Sequence, residues 1–118
     1  MDSPLKMNHV IKFVADMDRA VRFYRDAVGL PLKFQSPEWS EFATGETTLA
    51  LHPANDRNKP GTVELGFTVP DTNRFYEEMN AKSVHFSIPP AKQEWGRTLA
   101  QFDDSEGAHC SVSSNSGG

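Results

Sequence analysis

With 118 residues and 37% hydrophobic content, helped by eight Phe, two Tyr and two Trp, the chain can form one ordinary domain or two small halves sharing a core. Twelve basic against sixteen acidic side chains leave a net charge of −4, which argues against the basic groove of a nucleic-acid binder and against a polybasic membrane anchor. No stretch nears about 18 apolar residues, the opening MDSPLKMNHV has no apolar signal core, and the lone Cys110 excludes an internal disulfide or a cysteine zinc cluster, so a cytoplasmic protein with no membrane or nucleic-acid partner is expected.

Residues 9–15 (HVIKFVA) are rich in β-branched and aromatic types and predict a strand. Asp16 offers an N-cap, and Met17, Ala20, Val21, Tyr24 and Val28 form the apolar stripe of a helix that Gly29 and Pro31 stop. Short strands follow at 31–36, 39–43 and 47–52, with a turn at Gly45. Residues 53–61, with Pro53, Pro60 and Gly61, read as a polar linker. The same order then returns. A strand at 62–69 precedes a helix capped by Asp71 and carrying Phe75, Tyr76 and Met79. Strands at 84–88, 98–102 and 109–113 complete it, with a loop at 89–96 and a turn at 103–107; residues 114–118 read as a disordered tail.

Displacing the first half by 55 positions sets His9 on Glu64, Val10 on Leu65, Val14 on Val69, Asp16 on Asp71 and Arg19 on Arg74. Arg-Phe-Tyr also occurs early in both helices, at 22–24 and 74–76. The chain thus reads as a duplicated βαβββ unit, module 1 about 7–52 and module 2 about 62–113. Neither half is long enough to close a core alone, so the two are expected to pack as a pair.

Three stretches carry a family resemblance: His9 through Leu30, Phe42-Ala-Thr-Gly-Glu-Thr-Thr-Leu-Ala-Leu51, and Trp95 through Gly107. They resemble the opening strand with its Phe-Tyr helix, the third and fourth strands, and the closing hairpin of the glyoxalase / bleomycin-resistance / extradiol-dioxygenase (vicinal oxygen chelate) superfamily. Ser105 stands where that hairpin usually has proline. The resemblance implies an α+β fold of two βαβββ modules whose mixed eight-stranded sheet curls around a cavity. It also implies a homodimer and, in metal-dependent members, one divalent ion held by the first and last strand of each module.

Carried over to this chain, the four implied ligand positions are His9, Ala50, Glu64 and Ser111. An imidazole and a carboxylate suit zinc, nickel, iron or manganese, whereas Ala50 has no donor and Ser111 only a neutral hydroxyl. His52 and His109 lie two residues from these positions and share their strand faces, so a rearranged metal set of His9, Glu64 and one of these histidines, His52 first, is conceivable. Against it stands the ordinary reading of His9 and Glu64 as polar groups that satisfy each other. Tyr24 and Tyr76 read as core, Cys110 as a small hydrophobe, and His85 as a surface residue.

Two functions follow from these residues. In the first, the cavity takes up a small molecule with no cofactor: His9, Trp39, Phe67, Trp95, Arg97 and Ser111 contact it, Phe34 adds a further ring, and the acidic balance favours a cationic aromatic ligand. In the second, the protein is a lyase, isomerase or dioxygenase with a divalent metal ion, and Glu64 is the catalytic proton carrier. A third reading, an interaction module with a vestigial cavity, needs no ligand. No dinucleotide fingerprint, Walker loop, HExxH or GxSxG motif is present.

Overall fold

The computed structural model describes residues 5–115. The chain divides into two compact units, Asn8–Glu64 and residues 65–115 with 5–7. Strand β1 (Lys6–Val14), which lies in the first unit from Asn8 on, leads into α1 (Met17–Arg22), a π-helical turn (Phe23–Val28), and then β2 (Leu32–Gln35), β3 (Ser40–Phe42) and β4 (Thr48–Pro53). Strand β5 (Val63–Thr68), which lies in the second unit from Leu65 on, leads into α2 (Thr72–Ala81), β6 (Phe86–Lys92), β7 (Arg97–Asp103) and β8 (His109–Asn115).

The internal plan of each unit is the same. β1 pairs in parallel with β4, and β2, β3 and β4 pair antiparallel in sequence. β5 likewise pairs in parallel with β8, and β6, β7 and β8 antiparallel. Each helix starts at an aspartate in extended conformation that accepts the backbone N–H three residues on, Arg19 for Asp16 and Arg74 for Asp71. The duplication seen in the sequence is therefore a duplication of topology.

One expectation is corrected. The hydrogen-bonded strand order is β2-β3-β4-β1-β5-β8-β7-β6, a mixed sheet of eight strands with β2 and β6 at its ends. The sheet is open, not curled around a cavity. The end strands give the reason. β6 contains Pro89 and Pro90, which have no N–H to offer, and its register with β7 slips on either side of Ile88. A strand so interrupted can pair on one side and cannot recruit a closing partner on the other. The same fact explains why β6 reaches Lys92, through residues read from sequence as a loop: proline is tolerated in an edge strand.

Further differences follow from local hydrogen bonding. Beyond Arg22 the first helix widens, and Gly29 N–H donates to Tyr24 O, five residues back, at 3.1 Å. A π turn carries position 28 off the stripe that Met17, Ala20, Val21 and Tyr24 keep, so Val28 is exposed rather than buried. Gly29 ends the turn at φ 91°, in the left-handed region open to glycine. Residues 53–61, read as a linker, contain a local turn. Asn55 Oδ1 accepts the N–H groups of Arg57 and Asn58, which folds this stretch into a tight turn. At the C-terminal end, β8 includes Ser114, which is buried; 116–118 of the expected tail lie outside the described residues.

Alternation then sorts the side chains. In the first unit Val21, Phe42 and Leu51 form the core beneath the helix, while Ile11, Phe13 and Ala50 lie in a separate cluster with Trp39 and Ala54. In the second, Val69, Ala100 and Val112 form the core with Phe67, Phe75, Phe86 and Phe102 around them. The helix-free face of each unit is left for other groups.

Candidate functional site

In the first unit the strand register places His9 opposite Thr48, Ile11 opposite Ala50, Phe13 opposite His52, and Glu41 opposite Ala50. With a side-chain period of two, His9, Glu41, Ala50 and His52 share one face. Trp39 enters this face from the turn before β3, where Ser36 Oγ both accepts the Trp39 N–H (3.1 Å) and donates to its carbonyl (2.9 Å). Its indole is then fixed at the far end. Nε1–H donates to Glu41 Oε2 at 2.8 Å, and that same oxygen lies 3.7 Å from His9 Nε2. The other carboxylate oxygen is 3.7 Å from Lys33 Nζ.

The two imidazoles meet the indole edge-on, His9 at 5.8 Å and His52 at 6.2 Å between ring centroids, and Phe13 packs edge-on against His52 at 5.4 Å. His52 Nδ1 is 2.8 Å from the Pro53 carbonyl. A carbonyl can only accept, so Nδ1 carries a proton, and in the neutral ring Nε2 then presents a lone pair. Together these groups make an aromatic wall with one carboxylate and one imidazole acceptor on it.

The second unit's helix-free face is polar in a different way. Arg97 donates through Nη2 to Thr68 Oγ1 (2.8 Å) and Ser113 Oγ (3.0 Å), and through Nε to Ser113 Oγ (3.2 Å). Ser111 sits in register between Gly66 and Gln101. Asp103 Oδ1 lies 2.8 Å from His109 Nδ1, and its Oδ2 lies 3.8 Å from the exposed His85.

The structure thus brings His9, Trp39 and His52 together, and separately sets Arg97 on Thr68 and Ser113. Phe67 instead stacks on Phe102 beside the second core. Trp95 stands in the 93–96 turn and is 61% exposed, and Phe34 is exposed on β2. Glu64 is buried on β5. Glu41 is absent from the sequence-derived set. The signal for it was the Trp39-x-Glu41 spacing, which puts both side chains on one strand face.

A family model for the glyoxalase/bleomycin resistance protein/dioxygenase superfamily matches residues 6–110. The chain belongs to that superfamily. Among its relatives is the uncharacterized protein YraH of Bacillus subtilis (strain 168), 26% identical over 116 residues, with 85% of this chain and 91% of YraH covered. Solved structures share the fold: the hypothetical protein BH1468 of Bacillus halodurans C-125 (TM-score 0.75, 13% identity, 96% of each chain) and the methylmalonyl-CoA epimerase of Mycobacterium tuberculosis (TM-score 0.73, 17% identity, 92% of this chain and 87% of that one).

The superfamily's metal centre implies donors at positions 9, 50, 64 and 111. Ala50 is wholly buried and offers a methyl group, and Ser111 offers a neutral hydroxyl. That donor set does not fit a divalent ion, for which catalytic sites use about three good protein ligands. Among the described residues no group of three or more His, Cys, Asp or Glu is placed to hold a metal. No helix of the described residues is long and apolar enough to cross a membrane.

Proposed function

We propose that this superfamily member binds a planar organic cation, without a metal, on the helix-free face of the unit Asn8–Glu64. The observation that carries the reading is the indole of Trp39 tied by its N–H to Glu41 between two imidazoles. A pinned indole offers its π face at little entropic cost, and a cation over that face gains about 0.5–2 kcal/mol. Glu41 supplies the complementary charge. Its contact with half-exposed Lys33 is a surface pair worth about 0–1 kcal/mol, which a ligand cation can replace. His52 Nε2 adds an acceptor for a ligand N–H. Action as a cytoplasmic homodimer belongs to the same reading, supported by the family resemblance and by a single buried thiol that suits a reducing compartment.

Calorimetric titration with N-methylquinolinium tests it. Saturable binding is expected that excess EDTA leaves unchanged, that Trp39→Phe weakens by about fivefold or more, and that Glu41→Gln also weakens. Equal affinity in wild type and Trp39→Phe, or affinity abolished by EDTA, refutes the proposal.

A further inference from the structure

A concavity lies in the same unit, beside the helix. It has a volume of about 330 Å³, at the small end of ligand-sized pockets of about 300–1,000 Å³. Val14, Ala20, Phe23 and Tyr24 give it apolar walls. Its rim at Pro60 and Gly61 is tied down, because Gly61 N–H donates to Phe13 O at 2.8 Å and Phe13 N–H to Thr62 O at 3.0 Å.

Three charged groups line it: Lys12, Arg19 and Asp16. The Asp16 carboxylate is engaged in capping α1 through the Arg19 N–H. Neither Lys12 Nζ nor the Arg19 guanidinium has an ion-pair partner among the described residues, although Lys12 is only partly exposed. The groove therefore carries a net charge of +1 in a chain of −4.

The helix changes pitch where it meets this groove. The π turn begins at Phe23, whose ring is 55% exposed and meets Tyr24 edge-on at 5.2 Å. Single π turns are uncommon and concentrate at functional positions. An exposed ring held in a groove by an irregular turn, with two unpaired cations at hand, suits a ligand that is flat, apolar and singly negative. A guanidinium fork matches a carboxylate, and one net positive charge matches a monoanion better than a phosphate dianion.

We infer that the groove between the π turn and the 60–61 rim binds an aromatic monocarboxylate, its ring against Phe23 and Tyr24 and its carboxylate between Lys12 and Arg19. The site is distinct from the Trp39 wall: Phe13 alone borders both, and the ligand is of opposite charge.

The test is a titration of the ¹⁵N-labelled full chain with 2-naphthoate, followed by amide shifts. Saturable shifts are expected at Lys12, Phe23 and Gly61, with affinity reduced about fivefold or more by Arg19→Gln, Lys12→Gln or Phe23→Ser; each variant's dispersed spectrum reports its fold. The neutral 2-naphthalenemethanol should bind at least about tenfold more weakly. Equal binding of the two compounds, or shifts centred elsewhere, overturns the inference. So do shifts at these three residues that depend on protein concentration alone, which would make a second copy of the chain the occupant.

Discussion

The two units share a topology and fill it differently. Under α1, Phe42 is fully buried against Leu51 and Val21. Under α2 the central positions are the small Ala100 and Val112, and the volume is supplied by rings around them, with Phe102 touching Phe67, Phe75 and Phe86 at centroid distances of 5.7–6.2 Å. Beneath its helix, one unit rests on a single fully buried ring and the other on a cluster of part-exposed ones. A repeated strand order thus specifies where a core sits, not which side chains fill it.

The sharpest way to break that contrast is to delete a ring from each. Phe42→Ala leaves a cavity with no solvent to relax into and is expected to cost about 3–5 kcal/mol. Phe102→Ala removes a ring that is only partly buried, and its three neighbours can shift into the space, so the loss should be clearly smaller. Guanidinium midpoints of the two variants measure this. Equal losses would mean that the phenyl cluster is as tightly enclosed as Phe42.

The second contrast lies at the first helical residue. Met17 and Thr72 are equivalent by the 55-residue offset. Met17 accepts a contact from Ser40 Oγ at its sulfur (3.3 Å), whereas Thr72 joins a buried polar network: Oγ1 donates to Thr98 O (3.1 Å) and lies 2.6 Å from Ser114 Oγ, which in turn accepts the Thr72 N–H (3.1 Å). Thr72→Val leaves the Ser114 hydroxyl and the Thr98 carbonyl short of a partner, and should cost about 1–3 kcal/mol. Met17→Leu keeps volume and breaks only a weak sulfur contact, so less than about 1.5 kcal/mol is expected. The same denaturant titrations decide the order.

This pattern of agreement and difference marks what a single sequence exposes. Caps, stops and strand alternation are local, so Asp16, Asp71 and Gly29 were legible one by one, and the repeat was legible because the 55-residue offset sets Asp16 on Asp71. The π turn was not, since Val28 obeys α-helical spacing in the sequence and only the Gly29-to-Tyr24 hydrogen bond shows the wider pitch. The open sheet was not legible because closure depends on whether the end strands have N–H groups to share, and Pro89 and Pro90 read as loop formers before they read as edge residues. On the candidate site, the sequence names His9, Trp39 and His52 as candidate contact or ligand residues. Glu41, the group that joins Trp39, His9 and Lys33, was hidden because an acid in a short strand looks like an ordinary solvated position until its neighbours across the sheet are known.

The smallest expected effects come from the feature the units share most closely. Asp16 and Asp71 cap their helices with hydrogen bonds of the same length, 3.1 Å to the N–H three residues on. Asp16→Ala and Asp71→Ala should therefore cost about 1 kcal/mol each, within a range of about 0.5–2 kcal/mol. They should part company in binding. Asp16 is the one negative charge lining the groove that holds Lys12 and Arg19, so its removal raises the local charge and should tighten 2-naphthoate binding by about twofold to fivefold at low salt. Asp71 lines no such groove, and its loss should leave that affinity unchanged. A cap variant that loses stability while gaining affinity separates the carboxylate's structural task from its electrostatic one. Equal affinities for 2-naphthoate in the two variants would show that the charge at position 16 does not reach the bound carboxylate.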